Sequence, residues 1–307
     1  MRRIVAFCSS VVVAGVIVVA AVGSSGSAQV VARIDTGLGP CSETGGLGSV
    51  WVGVGGAGTL VRIDPATNAV TGTLDVGPGP CGVAIGAGSV WVDGYGTSSV
   101  IRVDPARLKV TRRIAMRDQI WDVTYGAGAV WATEPNRGYV DRINPRTNKV
   151  GRRIHIKNFG PGNLRYGGGA VWVGSTFGRR VVRIDARTNR LTSVRVGDTP
   201  RSVAVTSTAI WVSNNRSNTV SRIDPKTRKV VATIRVGQGP ENAAIGTDGT
   251  VFVPNVGEDT VSRIDPATNK VIQTIPVGVR PFPAAAAFGD IWVPNAGGTE
   301  VFRLHIQ

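Results

Sequence analysis

The sequence is poor in the residues that most often carry catalysis and metal binding. His155 and His305 are the only histidines in 307 residues, and there are three cysteines. No Cys/His cluster has the spacing of a zinc site, and no nucleophile elbow, phosphate-binding loop or metal-ligand motif is present. Neither a metal nor a cofactor is therefore expected. No stretch sustains a helical period, which argues against a helical bundle or an α/β fold. Beyond Val22 no apolar run is long enough to span a membrane as a helix. Acidic residues are scarce too: 20 Asp and Glu stand against 35 Lys and Arg, a net charge of +15.

Arg2 and Arg3 precede an apolar stretch from Ile4 to Val22, which runs on into small residues ending in Gly26, Ser27 and Ala28. That is the pattern of a secretory signal peptide. Residues 1–28 are read as this leader, with a retained N-terminal anchor as the alternative. Residues 29–307 are read as one domain that is secreted, periplasmic or held on the outer face of the cell envelope. Cys8 lies near the start of the apolar stretch, where a lipoprotein cysteine would follow its end. Beyond the leader, only Cys41 and Cys81 remain, an even number that an oxidising compartment would permit to pair.

What the chain has in abundance is glycine (41), proline (17) and a repeat. An apolar–aromatic–apolar triplet recurs with its ring at Trp51, Trp91, Trp131, Trp172, Trp211, Phe252 and Trp292, successive rings being 39 to 41 residues apart. An Arg–aliphatic–Asp-like triplet follows each, with its arginine at Arg62, Arg102, Arg142, Arg183, Arg222, Arg263 and Arg303. Each unit reads as four strands, in the first 40–47, 49–54, 59–64 and 69–76. The third and fourth are joined by Asp64-Pro65-Ala66-Thr67-Asn68, in which the carboxylate bonds backbone amides ahead, Pro fixes φ and Asn tolerates a left-handed conformation. One such sheet cannot bury both faces, so the units must stack, and radial stacking makes propeller blades.

The fold expected is an all-β, seven-bladed β-propeller. Val30 to Asp35 match the fourth strand of a unit yet precede the first complete one, while the seventh unit stops at its third strand, Phe302 to Gln307. The N-terminal strand is expected to complete the last blade and close the ring.

Trp211-Val212-Ser213-Asn214, Phe252-Val253-Pro254-Asn255 and Trp292-Val293-Pro294-Asn295 resemble the Tyr-Val-Thr-Asn element of the YVTN-type propeller repeats. The resemblance spans the chain beyond the leader and implies the fold; such repeats serve binding modules, scaffolds and enzymes alike. The chain is also similar in fold and length to the streptogramin B lyases. Their resemblance would imply a histidine, acidic residues and magnesium at the channel mouth. His155 and His305 fall in predicted outer or third strands instead, so neither is carried over as a base.

Residues common to every blade are explained by the blade, the rings as packing between blades and the arginines as exposed partners of nearby aspartates. Function is sought where one blade departs. Between Arg102 and Arg201, 21 Lys and Arg face 7 Asp and Glu, while the rest of the chain after the leader has 12 against 13. A one-sided field attracts anionic partners: nucleic acid, anionic glycan or cell-wall polymer. Arg112, Arg113, Arg152 and Arg153 also suit the protection of outer strand edges.

Trp121 lies outside the ring series, at the position filled elsewhere by Cys41, Cys81, Gly162, Arg201, Glu241 and Phe282. That position should border the channel mouth. Around it the candidate ligand-binding residues are Tyr95, Trp121, Asp122, Glu134, Arg137, Tyr139, Asn163, Arg165, Phe177, Arg179 and Arg180, aromatics interleaved with charges that suit stacking and ion pairing. Glu43 replaces an apolar residue and reads as a buried carboxylate, while Glu241, Glu258 and Asp259 add carboxylates across the ring. Cys41 and Cys81 occupy equivalent positions in adjacent blades; a disulfide needs their Cα atoms within about 7 Å, which the sequence leaves open.

The leading expectation is an exported, non-catalytic recognition propeller for an anionic partner. The alternatives are a channel-mouth lyase or hydrolase using Asp122, Glu134 or Glu43, and a scaffold that docks another protein.

Overall fold

A computed structural model describes residues 26–307; the leader read at 1–28 falls almost wholly outside them. They form seven four-stranded antiparallel sheets arranged in a ring, a seven-bladed β-propeller. In blade 1 the strands are Pro40–Gly46, Ser49–Val54, Thr59–Ile63 and Val70–Asp75, running from channel to rim. Blade 7 has only three strands of its own in sequence, and its outer strand is Ala28–Asp35, paired antiparallel with Glu300–Ile306.

The recurring rings are the packing unit between blades. Trp51 packs with Val83, Val90, Val92, Ile101 and Val103 of blade 2, and Trp292 with Val50, Val52, Val61 and Ile63 of blade 1, so the layer runs round the ring without a gap. Burying an aromatic ring removes about 150–250 Å² from water, roughly 4–6 kcal/mol at ~25 cal/mol/Å². The indole N–H keeps a partner in its own blade: Trp51 Nε1 donates to Gly46 O (3.2 Å), and Trp91, Trp131 and Trp292 donate to Gly86, Gly126 and Ala287.

The arginine series behaves differently from the exposed ion pairs expected. Register places each arginine directly opposite its ring, as in Trp91↔Arg102 and Trp211↔Arg222, so both side chains share a face. The guanidinium lies over the ring, 5.0 Å from the Trp91 centroid for Arg102 and 5.1 Å from Trp211 for Arg222. In blades 1, 2, 3, 5 and 7 it also reaches across the seam to the turn between the third and fourth strands of the next blade. Arg102 donates to Pro145 O (2.8 Å) and Asn148 Oδ1 (3.0 Å), and Arg303 closes the ring on Pro65 O (2.6 Å) and Asn68 Oδ1 (2.7 Å). The accompanying aspartates cap their own turns, Asp64 Oδ1 accepting from Ala66 N at 2.8 Å. At the chain ends no such turn exists, and the Gly26 carbonyl receives Arg263 in its place. Gln273 fastens the same point, accepting from Ala28 N (3.0 Å) and donating to Ala28 O (2.7 Å).

Candidate functional site

The connections entering the first strands meet at one mouth of the channel. Ile120 is fully buried beneath blade 3 and anchors Trp121, whose backbone amide donates to Thr133 O (3.1 Å). The indole is thereby held across the mouth. Its Nε1 donates to Asn163 Oδ1 of blade 4 (3.0 Å), the edge of Tyr95 from blade 2 meets it at 6.2 Å, and the Arg201 guanidinium of blade 5 lies 5.8 Å from its centroid. Four blades thus converge on one half-buried ring.

Arg201 is in turn held by Glu241 of blade 6, at 2.8 Å, and Glu241 also accepts from Asn215 Nδ2 (3.2 Å). Burial pushes the Glu241 carboxyl up to about 7, with Arg201 acting in the opposite direction. Opposite, Asp93 accepts from Cys81 N (2.6 Å), leaves its other oxygen buried without a partner, and is driven well above the usual carboxylate range by burial. Cys41 and Cys81 are joined in a disulfide with Cα atoms 5.0 Å apart, tying blades 1 and 2 at this rim. Two cavities open here, of about 290 and 400 Å³, and both are lined by Tyr95, Trp121 and Arg201. Phe282 adds an apolar wall to the first; Gln119, Asn136 and Arg216 add polar groups to the second.

A second chamber of about 390 Å³ lies along the first strands, with Glu43, Arg165, Tyr166 and Asn242 in its wall. Arg165 is paired with the buried Asp122 at 2.7 Å, and Asp122 also accepts from Leu164 N (3.0 Å) and Val123 N (2.8 Å). Burial still raises its pKa. Asn242, with its amide oriented to accept from Arg165 (2.9 Å) and donate to Val203 O (2.8 Å), extends the network. Glu43 is buried and neither carboxylate oxygen has a hydrogen-bond partner; desolvation raises its pKa well above the usual range.

The residues singled out from the sequence therefore separate. Tyr95, Trp121 and Asn163 stand together at the mouth, and Arg165 lines the chamber while pairing with Asp122. Glu134 and Tyr139 belong to neither. Glu134 ends the second strand of blade 3 at the position of Asn214 and Asn255 in blades 5 and 6. Those asparagines bridge to the third strand, Asn255 Nδ2 reaching Thr260 Oγ1 (3.0 Å) and Ser262 Oγ (2.9 Å). In blade 3 charges replace this bridge. Glu134 accepts from Arg117 N (2.9 Å), Arg153 lies 2.8 Å from Asp141 and 3.6 Å from Glu134, and Arg117 covers the Tyr139 ring at 4.5 Å. Burial, reinforced by Glu134, raises Asp141 to about 6.

Arg137 sits 3.9 Å from Asp118 on an exposed loop, and Arg180 lies over Phe159 while donating to Lys157 O (3.1 Å). Phe177 and Arg179 are exposed on the next loop. None of these four lines either mouth cavity. Arg112, Arg113 and Arg152 are exposed on outer strands, whereas Arg153 turns inward to Asp141. His155 stacks on Tyr139 at 4.7 Å on an outer strand, and His305 pairs with Asp290 at 2.6 Å on the third strand of blade 7. Among the described residues no group of three or more His, Cys, Asp and Glu is placed to hold a metal ion, and no helix is long and apolar enough to cross a membrane.

The ring defines a seven-bladed propeller, a fold that solved structures share. The chain is similar to a virginiamycin B lyase from Staphylococcus aureus, with a TM-score of 0.80 and 16% identity over 92% of this chain and 100% of that one. It is likewise similar to a catalytically inactive histidine-to-alanine form of virginiamycin B lyase from Staphylococcus aureus solved with quinupristin, at a TM-score of 0.77 and 18% identity over 90% and 99% of the two chains. The WD40 propeller domain of Doa1 matches at a TM-score of 0.78 and 11% identity, over 91% and 97%. At these identities the likeness shows the fold alone. No family model matches the chain, and neither does any curated protein; the YVTN-type resemblance rests on the motif residues themselves.

Proposed function

We propose that this chain is an exported, non-catalytic recognition propeller that binds an anionic partner at the channel mouth, the basic rim of blades 2 to 4 supplying the long-range attraction. The observation that carries the reading is the Trp121 ring held between Tyr95, Asn163 and Arg201 at the junction of two cavities. A rigid, half-buried ring can stack on a flat ligand group, Arg201 and Arg216 favour an acidic substituent, and Gln119 and Asn136 offer hydrogen bonds.

Thermal denaturation of residues 26–307 with single-stranded DNA and with an acidic oligosaccharide tests it. One ligand is expected to raise the midpoint, by mass action on the folded state, and the rise should shrink with added salt. Trp121→Ala should abolish the shift. An equal shift in that variant removes the mouth as the site.

A lyase at the same mouth is the second reading, favoured by Glu241, whose pKa near 7 suits proton transfer at neutral pH. Against it, the neighbouring enzyme is inactive when a histidine becomes alanine, and His155 and His305 both lie on strands away from this mouth. Turnover of a streptogramin B compound that stops in Glu241→Gln would establish the lyase.

A further inference from the structure

One seam of the ring is built unlike the others. Arginines latch six seams: Arg62 donates to Pro105 O, Arg102 to Pro145 O, Arg142 to Ala186 O, Arg222 to Pro266 O, Arg263 to Gly26 O and Arg303 to Pro65 O. Between blades 4 and 5, Arg183 makes no such bond among the described residues and turns back to Asp185 of its own blade, at 3.4 Å. The cause lies in the turn it would have to meet. Where Asn148, Asn269 and Asn68 offer an amide oxygen to the incoming guanidinium, blade 5 has Arg228. Blade 2 has the uncharged Leu108 at this position and the Pro105 carbonyl of its turn still receives Arg62, whereas a guanidinium there repels the incoming Arg183.

The open seam is a cavity of about 550 Å³ lined by Arg183, Arg190, Lys226 and Arg228, with Thr188 and Thr192 beside them. Asp185 is the one carboxylate in the wall. It is already engaged by Thr188, through the backbone amide (2.9 Å) and the hydroxyl (2.8 Å), bonds that hold its pKa down at about 2. Four cations therefore face one acid. The corresponding cavity between blades 2 and 3, about 450 Å³, keeps its Arg102 latched onto Pro145 and contains only Arg102 and Arg112 as cations.

Arg228 also sits at φ +58°, a left-handed conformation that asparagine adopts more readily. The residue thus carries a backbone strain and an electrostatic repulsion together. The repulsion is offset if an anion occupies the cavity.

We propose that the seam between blades 4 and 5 is a binding site for a tetrahedral oxyanion, the phosphate or sulfate group of an ester, held by Arg183, Arg190, Lys226 and Arg228. Guanidinium groups meet such oxygens in pairs, and the cavity has room for the group's carrier as well. The site lies at the rim and is independent of the mouth.

Calorimetric titration of residues 26–307 with inorganic phosphate and with inorganic sulfate, at ionic strength fixed with chloride, tests the assignment, and the anion that binds tells phosphate from sulfate. Saturable binding is expected. Arg228→Asn, which restores the residue of the turns in blades 1, 3, 4 and 6, should weaken it at least tenfold while leaving the thermal midpoint equal or higher, so that loss of binding is not loss of fold. Arg152→Gln, which removes one exposed charge on blade 3, and Trp121→Ala should bind as the parent does. No saturable binding in the parent, undiminished binding in Arg228→Asn, or an equal loss in Arg152→Gln would overturn the proposal.

Discussion

Replacing Glu241 by Gln should make the protein less sensitive to pH in a way whose sign and window follow from the mouth. The carboxyl is buried and its pKa rises in the folded state from 4.5 to about 7. The folded protein therefore holds a proton that the unfolded chain has released throughout that interval, and stability falls as pH rises through it. The contribution is fully present below pH 4.5 and gone above about pH 7. At about 1.4 kcal/mol per pH unit the whole effect is about 3 kcal/mol. Gln keeps the shape and the contacts to Arg201 and Asn215 but does not titrate. Urea unfolding of both proteins at intervals from pH 4 to 8 measures it, because the difference between them cancels the other carboxylates. The difference should grow in favour of the variant between pH 4.5 and 7 and then level. A flat curve, or one that grows in the opposite direction, would mean that Arg201 holds the carboxylate ionised in the folded state and that burial is the lesser influence.

Two further predictions concern the scaffold. Arg102→Gln removes the guanidinium from Trp91 and its bonds to Pro145 and Asn148, and should lower stability by about 1–3 kcal/mol in denaturant titration; a loss below about 0.5 kcal/mol, the range of ordinary surface changes, would return the series to the status of surface charges. Reducing the Cys41–Cys81 disulfide opens a loop closed over 40 residues. It should lower stability by up to about 4 kcal/mol, by the loop-entropy relation, and an unchanged midpoint with and without dithiothreitol would show that the ring already restrains those two blades.

The fold was legible because a propeller writes itself in the sequence as a period. Ring spacing marked the blades, and the unpartnered strand before the first unit announced closure through Ala28–Asp35. The latch was not legible, since Arg102 meets Pro145 and Asn148 more than forty residues away. Of the candidate site, the sequence singled out Trp121, the one tryptophan outside the series. Arg201 and Glu241 occupy the same repeat position, and the way that position changes from Cys to Trp, Arg, Glu and Phe was the signal that would have joined them to it. Glu134 drew attention by its charge, yet it stands where a buried asparagine bridges two strands in other blades.

Glu134 and Arg228 show how a departure from a repeat can be weighed. Where blade 3 exchanges its asparagine for Glu134 and its serine for Asp141, it also supplies Arg117 and Arg153 to the same spot. Charge is met by charge, although Glu134 Oε2 and Asp141 Oδ1 are left without hydrogen-bond partners. Arg228 is met by Arg183, Arg190 and Lys226, all of its own sign, and Glu43 by no hydrogen bond at all. Crowding of like charges raises the free energy of the isolated fold by repulsion, and burial disfavours the ionised form of Glu43. A compensated departure is an alternative way of building the blade. An uncompensated one leaves a specific chemical demand, and at the seam between blades 4 and 5 that demand is for an anion.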